Sequence, residues 1–260
     1  MSIRVDTSTD TLRATVGSVF SGTGPITFGV WVKPMVDPNA SRMFYRFWNA
    51  STGNGLGLGT NGGGDFIHGL ALGGTGIGDY NFTNGVWYYC VTSRDNGANA
   101  TFRIFSDSTS TTPLNGATGE SIADTTNYSG VDDIYFGDDG DGTAGYDAEL
   151  ESWKVHYGVE WSNAQCRTES QFYTPQTAGG STKYAIRLSD IDADTDGIVE
   201  YASAFTLTNS GVVNGASRPD QLEALGGGGG SSPRSPGKVY PSGRTPMAIR
   251  PSTSNRIIIS

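Results

Sequence analysis

The strongest constraint on this chain is a period of two. In residues 26–34, ITFGVWVKP, the apolar Ile26, Phe28, Val30 and Val32 alternate with Thr27, Gly29, Trp31 and Lys33, which puts the two sets on opposite faces of an extended strand. The pattern predicts a strand with one dry side. Similar runs recur at 43–49, 55–60, 66–72, 85–93, 100–106, 132–137 and 149–158, and again at 182–189, 198–203 and 205–209, between Gly, Asn, Asp or Pro turn signals. Short antiparallel strands with one apolar face each must stack as two sheets, because only another sheet covers so large an area. The 38 glycines and the 17% charged residues suit frequent turns, and almost no helix is expected.

Residues 1–225 are read as one all-β, two-sheet antiparallel sandwich, and residues 226–260 as an extended basic arm. The arm opens on Gly226 to Gly230, carries five prolines, and holds Arg234, Lys238, Arg244, Arg250 and Arg256 with no acidic residue. Such a segment cannot fold alone. Ordering it costs roughly 1–2 kcal/mol of backbone entropy per residue, so it is expected to lean on another surface. Tyr240, Met247, Ile249, Arg250, Arg256, Ile257, Ile258 and Ile259 are the expected docking residues. At ~3.3 Å per residue the extended arm reaches about 115 Å, and its final NRIIIS suits strand addition to an open sheet edge.

The formal charge is -9, from 17 basic and 26 acidic residues. Removing the arm's five basic residues leaves 12 basic against 26 acidic, or -14, in the body. That balance argues against nucleic acid as a partner, since phosphate contacts need clustered Lys and Arg. No run approaches a membrane span, and MSIRVDTSTD has neither the charged leader nor the apolar run of a signal peptide, so synthesis in the cytoplasm without export is expected. Cys90 and Cys166 are expected to be free thiols.

Several segments resemble laminin-G-like (concanavalin A-like) jelly rolls. ITFGVWVKP is similar to the family's fTisaWvkP strand, and NGVWYYCVTSRDNGANATFRIF to its central hairpin. DDIYFGDD followed by AELESWKVHYGVEWSNAQ is similar to the family's ending, with Glu151 where an Asp is usual. YAIRLSDIDADTDGIVEY through LTNSGVVNGASRPDQ resembles the tail of many phage and bacterial members. The likeness spans most of residues 3–220 and implies the jelly-roll sandwich.

Three carboxylates, Asp147, Glu149 and Glu151, project at a spacing of two. Retaining glucanases of this fold carry E-x-D-x-E, with one Glu as nucleophile and another as acid/base; the order here is D-x-E-x-E, so a solvated acidic strand face is expected and no catalytic residue is assigned. Asp192, Asp194, Asp196 and Gly197 open like a calcium loop, but its twelfth position is Ser203 rather than Glu. Polar turns are expected there and at Asp138 to Gly142, with no cofactor, calcium being the alternative. His68 and His156 are read as strand residues rather than ligands. Trp48, Trp87, Trp153 and Trp161 are read mainly as core, although an exposed one would make a sugar platform.

The expected function is that of a non-enzymatic virion structural protein of a tailed phage. It would decorate the capsid or belong to tail or fibre, form homo-oligomers, and dock on neighbouring capsid or tail subunits through its arm. One alternative is a lectin-like module binding host-surface glycans; a remote one is a glycoside hydrolase on the same fold.

Overall fold

A computed structural model describes residues 2–5, 11–15, 24–35, 42–49, 54–60, 66–69, 80–96, 99–106, 111–123, 133–137, 147–173, 175–180, 182–188, 198–201, 206–210 and 213–214. Among them the chain forms β1 (Ile3–Val5), β2 (Thr11–Thr15), β3 (Ile26–Pro34), β4 (Arg42–Asn49), β5 (Asn54–Thr60), β6 (Phe66–Gly69), β7 (Tyr88–Arg94), β8 (Asn99–Ser106), β9 (Glu120–Ala123), β10 (Asp133–Gly137) and β11 (Ala148–Tyr157). One helix, α1 (Asn163–Glu169), follows, and then β12 (Thr182–Arg187), β13 (Ile198–Tyr201), β14 (Thr206–Ser210) and β15 (Val213–Asn214).

The strands make two antiparallel sheets, a jelly-roll sandwich. The larger is nine-stranded and runs β13-β12-β11-β3-β7-β8-β9, with β1 pairing β11 and β15; the smaller is six-stranded and runs β14-β2-β10-β4-β5-β6. Residues beyond 160 join both sheets, since β12 extends the larger through β11 and β14 closes the smaller through β2. The expected domain boundary at 225/226 and the whole arm, including Tyr240, Met247, Ile249, Arg250, Arg256, Ile257, Ile258 and Ile259, lie outside the described residues.

The inner faces meet in one apolar core. Phe28, Val30 and Val32 of β3 and Leu150, Trp153 and Val155 of β11 face Leu12, Phe47, Ile134 and Phe136 of the smaller sheet, all fully buried. Trp153 is the hub: its ring lies 6.1 Å from Phe28, 6.4 Å from Tyr45 and 5.9 Å from Phe136, so it bridges the layers. Burying each such side chain stabilises the fold by ~1.5–3 kcal/mol.

One expectation of the strand pattern needs correction. Residues 26–34 do form a strand, but its second side is dry as well: Thr27, Gly29 and Trp31 are buried like their neighbours. What covers them is α1 with the segment around it, which packs Trp161, Cys166 and Tyr173 onto Trp31, Trp87, Tyr89, Val91 and Phe105 as a second core. The single short helix agrees with the expectation of almost no helix, and it has a local cause. Ser162 accepts the backbone N–H of Gln165, and the Gln165 side chain accepts the backbone N–H of Ser162, a reciprocal capping box.

β11 carries an irregularity that sets up the second core. Its register against β3 slips between Glu151 and Lys154, and Ser152 there has φ 51°, a left-handed conformation unusual for a residue with a side chain. The extra residue reverses the alternation, so Leu150 and Trp153 share the inner face while Glu151, Lys154 and His156 share the outer one. The slip also falls where β11 changes neighbour, from β1 at Ala148 to Leu150 to β12 at Trp153 to Tyr157.

Candidate functional site

The outer face of the larger sheet gathers most of the chemistry-bearing residues of β11. Lys154 donates through Nζ to the Glu169 backbone carbonyl (2.5 Å) and to Glu169 Oε2 (3.2 Å), with both side chains fully buried. Burial pushes the Lys154 ammonium down to about 8, against the pull of the Glu169 carboxylate. Glu169 Oε1 accepts the backbone N–H groups of Gln176 and Thr177, which ties the segment after α1 to the same carboxylate. His156 accepts from Trp161 Nε1 at Nδ1 (3.1 Å), so Nε2 donates to the Gly179 carbonyl (2.8 Å). Gly180 has φ 69°, and a Cβ there would collide with His156, which leaves glycine as the residue that fits. His156 is therefore a strand residue, as expected; His68 lies in β6.

The acidic trio is not a solvated face. Glu149 and Glu151 are buried at 2% and 0% exposure, because β1 runs alongside β11 and the α1 layer lies over it. Asp147 takes a forked pair of bonds from Arg4, both 3.3 Å, and Glu149 accepts from Ser2 (2.7 Å) and Lys33 (3.4 Å). Glu151 Oε1 accepts the backbone N–H groups of Ser152 (2.8 Å) and Leu188 (3.2 Å). It serves as a substitute acceptor in the gap between β1 and β12, where buried N–H groups need a partner.

Trp87, Trp153 and Trp161 are core residues, as expected, and so is Trp31. Cys90 and Cys166 are free and buried. Burial pushes the Cys166 thiol up to about 12 and raises that of Cys90. Among the described residues no group of three or more His, Cys, Asp or Glu is placed to hold a metal ion. Asp138 to Gly142, Asp192, Asp194, Asp196 and Gly197 lie outside the described residues.

The outer face of the smaller sheet is different. Tyr135 of β10 pairs with Arg13 of β2 on one side and Arg46 of β4 on the other, so Arg13, Tyr135 and Arg46 form one transverse row. Leu12, Ile134, Phe136, Tyr45 and Phe47, their neighbours in sequence, point inward to the core. The row is held by a fork: Arg13 Nε donates to Asp133 Oδ1 (2.8 Å) and Nη2 to Oδ2 (2.6 Å). The Asp133 side chain is 5% exposed and that of Arg13 46%, so the carboxylate is an anchor and the guanidinium reaches solvent. Arg13 Cζ lies 5.6 Å from the centre of the Tyr135 ring and covers one of its faces. On its other side β10 pairs with β4, where Arg46 holds the register position beside Tyr135 and Trp48 that beside Asp133; Arg46 and Tyr135 are both partially exposed. This row, rather than the acidic trio, is the candidate site. Sequence reasoning missed it because TLRAT, RMFYRFWN and DIYFG each show an ordinary wet position, and only the strand order brings those positions together.

No family model matches the chain, and no curated protein matches it in sequence. Its fold is similar to that of a Bacteroides ovatus protein with a proposed carbohydrate-binding role, at TM-score 0.55 and 10% identity over 82% of this chain and 59% of that one. It is also similar to a heptameric SAP-like pentraxin from Limulus polyphemus, at TM-score 0.52 and 12% identity over 82% of this chain and 91% of the pentraxin. A Trypanosoma rangeli sialidase aligns more weakly, at TM-score 0.42 and 13% identity, with 56% of this chain spanning 22% of the sialidase. The two stronger likenesses agree with the jelly-roll sandwich expected from the sequence.

Proposed function

We propose that the protein is a non-enzymatic carbohydrate-binding module whose site is the outer face of the smaller sheet, centred on Tyr135. The observation that carries this reading is the Arg13–Tyr135–Arg46 row, a partially exposed aromatic ring with the Arg13 guanidinium over one face and Arg46 at the neighbouring register position. A tyrosine ring stacks on the apolar face of a pyranose while fixed donors beside it take ring and hydroxyl oxygens. The fork to Asp133 holds Arg13 in place before any ligand arrives, which lowers the ordering cost of binding. The fold likeness to the Bacteroides ovatus protein supports the same reading.

A glycan array followed by calorimetry on the hits tests it. Tyr135→Thr removes the ring but keeps a residue suited to a strand, and it should weaken binding about tenfold or more. Unchanged affinity in Tyr135→Thr would move the site elsewhere, and an array without hits would end the reading. The virion reading ranks second: it rests on the arm of residues 226–260, and none of the structures named above is a virion protein.

A further inference from the structure

We propose that His156 is a proton-operated latch on the layer that carries α1, holding the ends of that layer against the larger sheet while neutral and releasing them in mildly acidic solution. The ring is fully buried and joins the two ends of the layer. Nδ1 accepts from Trp161 Nε1, one residue before the Ser162 cap of α1, and Nε2 donates to the carbonyl of Gly179, beyond the end of α1 at Glu169. Both roles are fixed by the partners, since an indole nitrogen only donates and a carbonyl only accepts. The closed layer therefore requires the neutral ring with its proton on Nε2. A second proton goes to Nδ1, where it faces the Trp161 N–H, donor against donor. That bond is then lost, and a charged ring and an orphaned indole N–H are left in a dry site.

The groups around the ring do not favour a second charge there. On its own strand Lys154 stands two residues earlier on the same face with its ammonium on Glu169, and Glu151 accepts the backbone N–H groups of Ser152 and Leu188. β12 places Lys183 at the register position beside His156, and β3 places the uncharged Thr27 there. Thr27 meets Ser93 of β7, and Ser93 meets Arg103 of β8, which pairs with Glu160. The layer contributes two carboxylates, Glu160 and Glu169, and each engages another cation. Its Arg167 donates to Ser170, and its Cys166 thiol, pushed up to about 12 by burial, stays neutral. Gly180 lies so close that a Cβ would strike the ring, which leaves the imidazole little room to turn away. The middle of the layer is held separately, because Lys154 grips Glu169 and Glu169 grips Gln176 and Thr177. Protonation of His156 therefore loosens the Trp161 and Gly179 ends about a retained tether and opens the second core over Trp31, Tyr89 and Val91. Because the open form takes a proton that the closed form excludes, falling pH favours opening.

Hydrogen exchange of the full chain between about pH 7.5 and pH 5, read by mass spectrometry and corrected for the intrinsic pH dependence of amide exchange, tests the proposal. Peptides covering residues 159–180 should open more as pH falls below about 6.5, where an open imidazole takes up its proton, with a slope approaching tenfold per pH unit, the limit for one proton. Peptides from β3 and β10 should keep their protection. In the native chain the imidazole NMR signals of His156 should titrate in step with that opening. His68→Gln removes the chain's other histidine and should leave the response unchanged. His156→Gln supplies one acceptor and one donor but no titrating nitrogen, so it should abolish the response. Should that variant fail to fold, the two native measurements still decide. Exchange in 159–180 that stays flat over this range overturns the proposal, as does a rise of equal size in folded His156→Gln or a rise while His156 remains neutral.

Discussion

On the outer face of the larger sheet Lys154 and Glu169 are both fully buried, whereas on the outer face of the smaller sheet Arg13 keeps 46% of its side chain exposed above a buried Asp133. Both are cation–carboxylate pairs whose cation stands on a strand, Lys154 on β11 and Arg13 on β2, yet they answer to different demands. The first is sealed under α1, and its hydrogen bonds go to backbone and side chains of the same chain. The second is half open, with one partner acting as a foundation and the other facing outward. The chemistry of a charged pair is thus set by what covers it: a sealed pair has paid desolvation and holds architecture together, while an open one keeps its donors within reach of a ligand.

The sharpest way to break the comparison is Lys154→Met. The substitution removes the cation and leaves the Glu169 carboxylate buried, still tied to Gln176 and Thr177 but without its counter-ion. It should destabilise the protein by about 3–5 kcal/mol in denaturant unfolding. A loss below ~1 kcal/mol would mean that water reaches the pair and that the face is not sealed. Next in size is Gly29→Ala. A Cβ at position 29 would collide with the Tyr89 hydroxyl and press on the Trp161 ring, for a cost of about 1–3 kcal/mol. Tyr89 Oη is buried without a hydrogen-bond partner, so Tyr89→Phe added to Gly29→Ala should recover much of the loss. Failure to recover would place the clash elsewhere.

How much of this was legible in the sequence follows from what a period of two can carry. Alternation in ITFGVWVKP gave the strand and its inner face, and the same reasoning located ten further strands within a few residues. It failed at the second face, because Thr27, Gly29 and Trp31 look wet until something covers them. The cover was announced only by Ser162 and Gln165, a capping box three residues apart that went unread beside so strong a strand pattern. β1, β2, β9 and β15 are short, from two to five residues, and offer too little alternation to detect. The acidic trio was misread for a related reason: β1 alongside β11 and the layer around α1 turn Glu149 and Glu151, in an apparent surface stripe, into buried anchors. The candidate site depends on register across β2, β10 and β4, a long-range property that no local pattern encodes.

A smaller effect separates the sealed pair through pH. Lys154 titrates at about 8 in the folded protein against 10.5 for the ordinary side chain, so between those values the unfolded chain binds more protons and stability from this group rises with pH. Cys166, raised to about 12 from 9.0, acts in the opposite sense: the folded protein keeps a proton that the unfolded chain loses, and stability falls as pH climbs past 9. Unfolding free energies at pH 7.5 and 9.0 should therefore show a gain of about 1 kcal/mol in the native sequence relative to Lys154→Met. Parallel pH profiles would show that the ammonium is not desolvated.

The smallest expected change in stability is that of Tyr135→Thr, and its smallness is what makes it informative. Tyr135 stands on the open face with Arg13 over one side of its ring, a contact worth ~0.5–1 kcal/mol at exposed sites, and threonine recovers part of that through its fit to a strand. The net loss should stay near 0.5 kcal/mol, with the melting temperature almost unmoved. Tyr135 and Tyr89 are both outward-facing strand tyrosines, on opposite sheets, so the pair of tests isolates the cover from the residue type. If Tyr135→Thr cost several kcal/mol, the row would be a structural cluster like the one beneath α1, and its arginines would have to be read as architecture. If it costs little while ligand binding is lost, the fold has assigned its two outer faces to different tasks, one to holding the sheet and the other to meeting a sugar.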